Sequence, residues 1–306
     1  MFFMRTNFKH KEICSVIVIY RNKIKAFQKI LKQHLQNFNQ VIIVNNSPEI
    51  SLDSFSSPQV TIINNQTNVG LASGLNLGIL EAKKHGAKMV ALFDQDTLLP
   101  DDFTKNMLQN INAYNSNKQT AIFAPNYFNH VTGRRNSIIN FKLFRLIRSN
   151  PNKFKFFTHP QSVITSGSII PINVLDKVGL MREELFIDFV DIEWCLRVRK
   201  QGYEIVAINK VMIDHHLGDY AVHFMGHHYP IHSPLRMYYY FRNAIYLYRL
   251  KEIDWNWRLV DGTRNLFRFL FYMLFVKNRT TYFKYIIKGY YHGLIKKNGQ
   301  IGRIEG

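Results

Sequence analysis

The first hundred residues contain four short apolar stretches, ICSVIVIY (13–20), QVIIV (40–44), VTII (60–63) and MVALFD (89–94). Each is rich in β-branched side chains, as is typical of a strand that is buried on both faces. Between the first two lies NKIKAFQKILKQHL (22–35), whose apolar residues recur at helical spacing. Short buried strands that alternate with amphipathic helices predict a parallel, doubly wound α/β sheet.

The second half of the chain extends this pattern. The stretches VITSGSIIP (163–171) and EIVAI (204–208) are predicted strands that complete the sheet, and a helix is predicted from about Asp191 to Gln201. After these elements the pattern becomes helical and aromatic. We therefore expect an α/β domain over residues 1–232 and a basic, aromatic, helical extension over residues 233–306.

The composition predicts a globular protein with a large core, because 46% of the 306 residues are hydrophobic. The two cysteines, Cys14 and Cys195, lie far apart inside apolar stretches, so we expect buried thiols in a reducing compartment. Residues 1–12 lack the long apolar stretch of a secretory signal. Residues 266–276 contain Arg268 and are shorter than the roughly 20 apolar residues of a membrane span. A cytoplasmic protein without a span is expected.

Positive charge is concentrated at the end of the chain. The formal net charge is +19, and residues 231–306 hold 14 Lys and Arg against 4 Asp and Glu. This excess indicates a polyanionic partner, either nucleic acid or an anionic lipid surface, unless it is only a solvated basic face. No RNP-type strand motif, zinc-finger spacing or helix-turn-helix signature accompanies it, so no nucleic acid is expected.

The motif Asp94-Gln95-Asp96 directly follows the apolar run MVALF (89–93). A parallel strand delivers its carboxyl end to the ligand crevice of an α/β sheet, where two carboxylates can hold a divalent ion against phosphates. Such oxygen ligands suit Mg²⁺ or Mn²⁺. The alternative is an ordinary acidic turn at a strand end.

A second acidic cluster lies in LFIDFVDIEW (185–194), where Asp188, Asp191 and Glu193 precede or begin the predicted helix. Carboxylates at this position often cap a helix N-terminus. Alternatively, one of them acts as a general base that takes a proton from a hydroxyl group.

Two further motifs are candidates for ligand contacts. In DHHLGD (214–219), one of the two adjacent imidazoles can bind a divalent ion or a phosphate. In NVGLASGLNLG (68–78), small residues lead into a helix whose N-terminus favours phosphate or ribose. Tight packing of that helix explains the same glycines equally well.

Seven stretches in this order resemble family 2 glycosyltransferases of the GT-A fold, particularly the rhamnosyltransferase branch: VIVIYRN, VIIVNNS, NVGLASGLNLGI, ALFDQD, TSGSIIP, FIDFVDIEWCLR and HHLGD. The resemblance covers about residues 13–250. It implies a GT-A fold and an inverting transfer of sugar from a nucleoside diphosphate, assisted by a divalent cation, Mg²⁺ or Mn²⁺.

The resemblance also implies roles for individual residues. Nucleotide contacts are implied for Tyr20, Asn45, Asn68, Gly70 and Asp94. Metal contacts are implied for Asp94, Asp96 and His215. Asp191 matches the general base, and Glu193 is implied to position the acceptor. The chain departs from the family pattern at Asn45, where many relatives have Asp, and at Arg21-Asn22, where many have Asn directly after the position of Tyr20.

The segment HSPLRMYYYFRNAIYLYR (232–249) resembles the stretch that follows the catalytic domain in this branch. Arg236 and Arg242 are candidates to bind the donor diphosphate or a lipid-linked pyrophosphate, because guanidinium pairs bidentately with phosphate oxygens. The alternative is an aromatic packing helix with surface arginines.

The resemblance implies dTDP-L-rhamnose as donor and a saccharide acceptor, lipid-linked, in the synthesis of bacterial surface polysaccharide. Another nucleotide sugar, such as UDP-galactofuranose, is the first alternative. The second is a non-catalytic basic protein of the membrane surface, which would not need Asp96, Asp191 and His215 together. Basic and aromatic residues alternate over residues 264–297, so we expect a peripheral position on the anionic inner face of the cell membrane.

Overall fold

The computed structural model describes residues 7–22, 24–129, 134–135, 139–142, 145–149, 155–215, 220–224 and 227–301. The strands are β1 Ile13–Ile19, β2 Gln40–Asn45, β3 Val60–Asn64, β4 Met89–Asp94, β5 Thr120–Asn129, β6 Arg134–Arg135, β7 Ile139–Lys142, β8 Arg145–Arg148, β9 Phe157–Thr158, β10 Ser168–Pro171, β11 Glu204–His215, β12 Tyr220–Phe224 and β13 His227–Ile231. The α-helices are α1 Ile24–Asn37, α2 Gly70–Lys84, α3 Phe103–Ala113, α4 Ile172–Val178, α5 Val190–Lys200, α6 Pro234–Leu247, α7 Trp255–Phe275 and α8 Arg279–Leu294.

The main sheet has the strand order β3-β2-β1-β4-β10-β5-β11-β9, with β6 paired to β5. Its first half is parallel, as predicted, with β1 between β2 and β4. All seven residues of β1 are buried, because both faces of the sheet are covered. On one face Ile17 packs in a core with Phe27 of α1 and Phe103 of α3. On the other face Val16 shares a core with Leu75 of α2.

The second half of the sheet is mixed. Strand β10 runs antiparallel to both β4 and β5. It is also shorter than the predicted strand 163–171, because the chain turns at Gly167, where φ is +79°. The Gly167 N–H donates to the carbonyl of Leu92 on β4 (2.8 Å). An antiparallel strand begins where its parallel neighbours end, so this turn lies at the carboxyl edge of β4.

Helix α6 is the first helix after the last strand, β13. Ser233 caps α6 by accepting a hydrogen bond from the Arg236 N–H (3.3 Å), and Pro234 takes the first helical position. Helix α6 then enters the core of the α/β domain, since Ala244 and Leu247 share one apolar cluster with Trp194 of α5. Residue 233 therefore marks the change from sheet to helices, and part of α6 belongs to the core of the α/β domain.

The cysteines and the helices test two further expectations. Both cysteines are buried, as predicted, and burial raises the pKa of Cys14 to about 11. Within the part of the chain that the structure describes, no helix has the length and apolar character that crossing a bilayer requires.

The glycines of α2 allow this helix to lie close to the sheet. A β-carbon on Gly74 would lie 2.8 Å from Val18 Cγ1, and one on Gly78 would overlap the side chain of Val16. Both valines belong to the buried strand β1, so neither has room to move. For these two glycines the packing explanation is confirmed.

We expect Gly78→Ala to destabilise the fold by about 1–3 kcal/mol, because the new methyl group would overpack the contact with β1. Gly262 of α7 is the matched control, since its β-carbon would meet only the Tyr248 hydroxyl at 3.9 Å. Gly262→Ala should stabilise the fold by up to about 1 kcal/mol, because alanine has a higher helix propensity than glycine. Denaturant unfolding measures both, and a Gly78→Ala protein as stable as the parent would contradict the close contact.

Candidate active site

The carboxyl edge of the sheet gathers the polar strand ends. The register pairs Val18 with Asp94 and Ile19 with Asn45, so the loops after β1, β2 and β4 are neighbours. Strand β11 reaches the same edge, where Leu98 and Asp214 exchange backbone hydrogen bonds of 3.2 and 3.3 Å. The chain just after Asp96 therefore lies against the chain just before His215.

Asp94 is oriented by a serine that the sequence motifs did not single out. The buried Ser166 hydroxyl accepts from the Asp94 N–H (2.9 Å) and lies 3.0 Å from Asp94 Oδ2, to which it donates. The hydroxyl of Thr97, also buried, lies 2.6 Å from Ser166 Oγ. These contacts fix the Asp94 carboxylate at the end of β4. The polar TSGS inside an apolar stretch was the available sequence signal.

Asp191 lies in the first turn of α5, close to two other carboxylates. Burial raises its pKa to about 6, and the negative charges of Asp94 and Asp188 act in the same direction. The Ile192 N–H donates to Asp191 Oδ1 (2.8 Å), which works against this rise. Tyr127 on β5 belongs to the same group, because burial and then the charge of Asp191 raise its pKa. The site thus contains a carboxyl group that binds a proton more tightly than an ordinary aspartate.

The Asp-Gln-Asp segment is fixed through its central residue. Gln95 Oε1 accepts from the Tyr20 N–H (2.7 Å), and the Gln95 carbonyl accepts from Asn22 Nδ2 (3.1 Å). Asp96 is exposed at this turn. Two carboxylates spaced by one residue at a strand end suit a hard divalent cation.

The side chain of His215 and residues 216–219 lie outside the described part, so the predicted imidazole ligand falls there. Among the side chains that the structure does describe, no group of three or more His, Cys, Asp or Glu is arranged to hold a metal ion. The Asp94 and Asp96 oxygens are the part of the predicted metal-binding set that can be placed.

The residues predicted to contact the nucleotide are placed as follows. The Tyr20 side chain is 40% exposed at the carboxyl edge, open to a ligand. Asn45 is buried, and its side chain donates to the Ile50 carbonyl (2.9 Å) and to Asn64 Oδ1 (3.1 Å). Asn68 Oδ1 accepts from the N–H of Gly70 (2.9 Å). Contacts of these residues with a nucleotide stay predictions.

The N-terminus of α2 differs from the predicted phosphate site. Two amides of its first turn, Leu71 N–H and Ala72 N–H, have a protein partner, because they donate to the Phe186 carbonyl at 2.6 and 3.3 Å. Gly70 is buried against the same phenylalanine, and a β-carbon there would lie 2.5 Å from the ring. Its φ of +88° also favours glycine at this position. In this structure Gly70 allows the start of α2 to lie against the backbone and ring of Phe186.

Glu193 also differs from its predicted role. The side chain is fully buried, where Oε1 accepts from Arg182 Nε (2.7 Å) and Oε2 accepts from Arg197 Nη2 (2.9 Å). A carboxylate enclosed by two guanidinium groups ties α5 to the preceding loop and is not presented to an acceptor. The i, i+4 spacing of Glu193 and Arg197 was the sequence signal for this pair.

The two arginines of α6 contact protein groups. Arg236 Nε donates to Asp188 Oδ1 (3.1 Å). Arg242 is buried, and its guanidinium donates to the carbonyls of Glu184, Leu185 and Gly299. Arg242 therefore holds the 184–189 loop, which leads into α5, and this arrangement differs from the predicted phosphate contact.

The chain is similar to known glycosyltransferases over most of its length. A family model described as "Glycosyl transferase family 2" matches residues 15–170. The dTDP-rhamnosyl transferase RfbF of Shigella flexneri is 29% identical over 282 residues, which cover 90% of this chain and 93% of the relative.

Solved structures with the same fold have lower sequence identity. The crystal structure of S. aureus TarS 1–349 in complex with UDP-GlcNAc aligns with a TM-score of 0.55 and 12% identity, covering 93% of this chain and 88% of that one. The crystal structure of GalNAc-T7 with UDP, GalNAc and Mn²⁺ aligns with a TM-score of 0.54 and 14% identity, covering 84% of this chain and 55% of that one. With carboxylates gathered at the carboxyl edge of an α/β sheet and a matching family model, the chain belongs to glycosyl transferase family 2 and is a glycosyltransferase of the GT-A fold.

Proposed function

We propose that this enzyme transfers L-rhamnose from dTDP-L-rhamnose to a saccharide acceptor, lipid-linked, in the synthesis of bacterial surface polysaccharide. The observation that carries the catalytic part is the approach of Asp191, with its raised pKa, to Asp94 at the end of β4. The choice of rhamnose is supported by the relative from Shigella flexneri, which is named as a dTDP-rhamnosyl transferase.

Asp191 is the proposed general base. A carboxylate that is desolvated and close to like charges gains stability when it takes up a proton, and an attacking hydroxyl releases one. The acceptor oxygen forms a bond to the anomeric carbon of the sugar while the bond from that carbon to the diphosphate oxygen breaks. The diphosphate leaves with the electron pair, and the hydroxyl proton goes to Asp191. A single in-line displacement on dTDP-β-L-rhamnose gives an α-linked rhamnoside.

Asp94 and Asp96, with His215, are the proposed ligands of a divalent cation, Mg²⁺ or Mn²⁺. When bound, such an ion neutralises the charge that develops on the leaving diphosphate. Asp94 is already oriented for this by Ser166, so little reorganisation is needed when the donor binds. Tyr20, exposed beside Gln95, is the proposed contact for the nucleotide base.

The function is tested with a panel of nucleotide sugars, including dTDP-L-rhamnose, UDP-galactofuranose and UDP-GlcNAc, in Mg²⁺ and in Mn²⁺. The proposal expects binding and slow donor hydrolysis with dTDP-L-rhamnose above the others. Preference for a different donor would keep the glycosyltransferase and reject rhamnose.

Asp96→Asn should remove most of the cation-dependent affinity for the donor, because one anionic oxygen ligand is lost at an exposed position. Calorimetry with the nucleotide in Mn²⁺ and in EDTA measures the difference. Asp254→Asn, which also changes an exposed aspartate, is the control. Equal cation-dependent affinity in Asp96→Asn and the parent would reject Asp96 as a ligand.

Asp191→Asn should keep donor binding and lower the rate of sugar transfer by about 10²-fold or more, as expected when a positioned base is lost. The isosteric amide can still accept from the Ile192 N–H, so the start of α5 is retained. Steady-state rates with a saturating donor measure the effect. A near-normal rate would make Asp188 the candidate base.

We further propose that the last two helices attach the enzyme to an anionic membrane surface. Of the eighteen large hydrophobic side chains that are exposed in the described residues, twelve lie between Trp255 and Ile295, which points to a partner for this region. Phe267 and Leu274 of α7 are 71% and 66% exposed. Exposed basic residues accompany them, including Lys277 and Lys284, and their charge favours anionic lipid over a second copy of this basic chain.

The enzyme should therefore sediment with anionic liposomes, not with neutral ones, and should be released by high salt. Combined Phe267→Ser and Leu274→Ser should weaken the attachment, whereas Leu80→Ser on α2, which changes a side chain that is 46% exposed, should not. Equal sedimentation with both lipid types, or with neither, would reject the membrane surface, and self-association at high concentration would indicate a second copy as the partner.

A further inference from the structure

We propose that Arg242 and Asn243 of α6 are positioning residues, which hold the 184–189 loop in the conformation that places Asp191 for catalysis. The inference rests on the proposed function in one respect, because it takes Asp191 as the base. It assigns to the helical extension a part in the chemistry of the α/β domain.

The 184–189 loop has a backbone that its own residues do not favour. Phe186, Asp188 and Phe189 all have positive φ values, of 62°, 62° and 64°. Positive φ is uncommon for residues other than glycine and is most unfavourable for bulky side chains. Three such residues within four positions persist only when surrounding groups fix them. Phe189 is also the N-cap of α5, so the loop sets where Asp191 begins the helix.

The groups that fix the loop come from outside it. Asn243 Nδ2 lies within hydrogen-bond distance of three loop carbonyls, those of Leu185 (2.9 Å), Ile187 (2.7 Å) and Asp188 (2.9 Å). Arg242 Nη2 donates to the carbonyls of Glu184 (2.9 Å) and Leu185 (2.8 Å).

The carbonyl of Phe186 accepts from the Leu71 and Ala72 N–H groups at the start of α2, and that of Phe189 accepts from the Glu193 N–H within α5. Five consecutive carbonyls, residues 184–188, therefore have donors outside the loop. The two residues of α6 supply the donors for four of them.

Side-chain contacts join the same two parts of the molecule. The ring of Phe186 stacks on Tyr239 at 5.0 Å between centroids, and Phe189 packs on Tyr240 at 4.6 Å. Asn243 Oδ1 accepts from Arg242 Nε (2.9 Å), so the two residues also fix each other. Both are buried, and a lost donor would leave carbonyls without a partner in a place that water does not reach.

The test compares Asn243→Ala with Asn265→Ala. Both residues are buried asparagines of the helical extension, but Asn265 donates to the Tyr248 hydroxyl and to Asp261 and is hydrogen-bonded away from the loop. Asn243→Ala should lower kcat for sugar transfer by about tenfold or more while the donor KM changes by less than about threefold, because orientation of the base is lost and donor contacts are kept. Asn265→Ala should lower thermal stability to a similar degree with kcat within about threefold of the parent.

A double-mutant cycle with Asp191→Asn separates positioning from general loss of structure. If Asn243 acts through Asp191, Asn243→Ala should lower the rate of the Asp191→Asn enzyme by less than about threefold. Full additivity, or equal kcat in Asn243→Ala and Asn265→Ala, would overturn the proposal. Should Asn243→Ala not fold, Arg242→Lys, which keeps the charge and loses the planar fork, takes its place.

Hydrogen exchange of the peptide covering residues 183–190 tests the positioning role of Asn243 separately from the assignment of Asp191 as the base. Faster exchange in Asn243→Ala than in Asn265→Ala supports the loop contacts whatever the rates are, and equal exchange rejects them. A near-normal rate for Asp191→Asn would reject the base assignment alone.

Discussion

The carboxyl edge of the sheet brings three negatively charged side chains together in partly buried positions. Asp94 ends the buried parallel strand β4. Asp188 lies in the 184–189 loop, and Asp191 lies in the first turn of α5. Burial, together with the negative charges of Asp94 and Asp188, disfavours ionisation of Asp191, so its raised pKa expresses a free-energy cost to the folded enzyme at neutral pH. Ser166, Arg236 and the residues that hold the 184–189 loop keep the carboxylates where they are despite that cost.

Much of this arrangement follows from the sequence. Alternation of apolar stretches and helices predicts the parallel half of the sheet, and the position of Asp94 at a strand end predicts which edge binds the ligand. The reversal at Gly167 could not be predicted, because a short strand reads the same in either direction, and only pairing with β4 fixes its orientation. The role of Ser166 could not be predicted either, because its partner Asp94 lies 72 residues away in sequence.

Long sequence separation also explains the differences at Arg242 and Glu193. An arginine beside aromatic residues has the same local pattern whether it faces a phosphate or a row of carbonyls, and these carbonyls belong to residues more than 50 positions earlier. Glu193 stands two residues after Asp191, and on a helix such residues point to different sides. One therefore faces the site while the other enters the core between two arginines.

The helices after residue 233 contact the loop before Asp191 and also carry the surface that is proposed to bind the membrane. Helix α6 fixes the loop before Asp191, and α7 and α8 expose the apolar and basic side chains proposed to meet the membrane. Glycines at 289 and 293 let α8 lie close to the backbone of α6, so the surface that would contact lipid is packed directly on the helix that holds the loop. A lipid-linked acceptor would then reach a site whose geometry depends on the same helices.

At neutral pH the folded enzyme holds Asp191 ionised beside two other carboxylates, which disfavour its negative charge. The direct measurement is the free energy of unfolding of the parent and of Asp191→Asn in EDTA, from pH 4 to pH 8. Because the folded-state pKa lies near 6, above the ordinary value of 3.8, the parent loses stability relative to the amide variant as pH rises through this interval. We expect nearly equal stability of the two proteins at pH 4 and an advantage for Asp191→Asn of about 1–3 kcal/mol at pH 8. An advantage of the parent at pH 8, or a difference that does not change with pH, would contradict it.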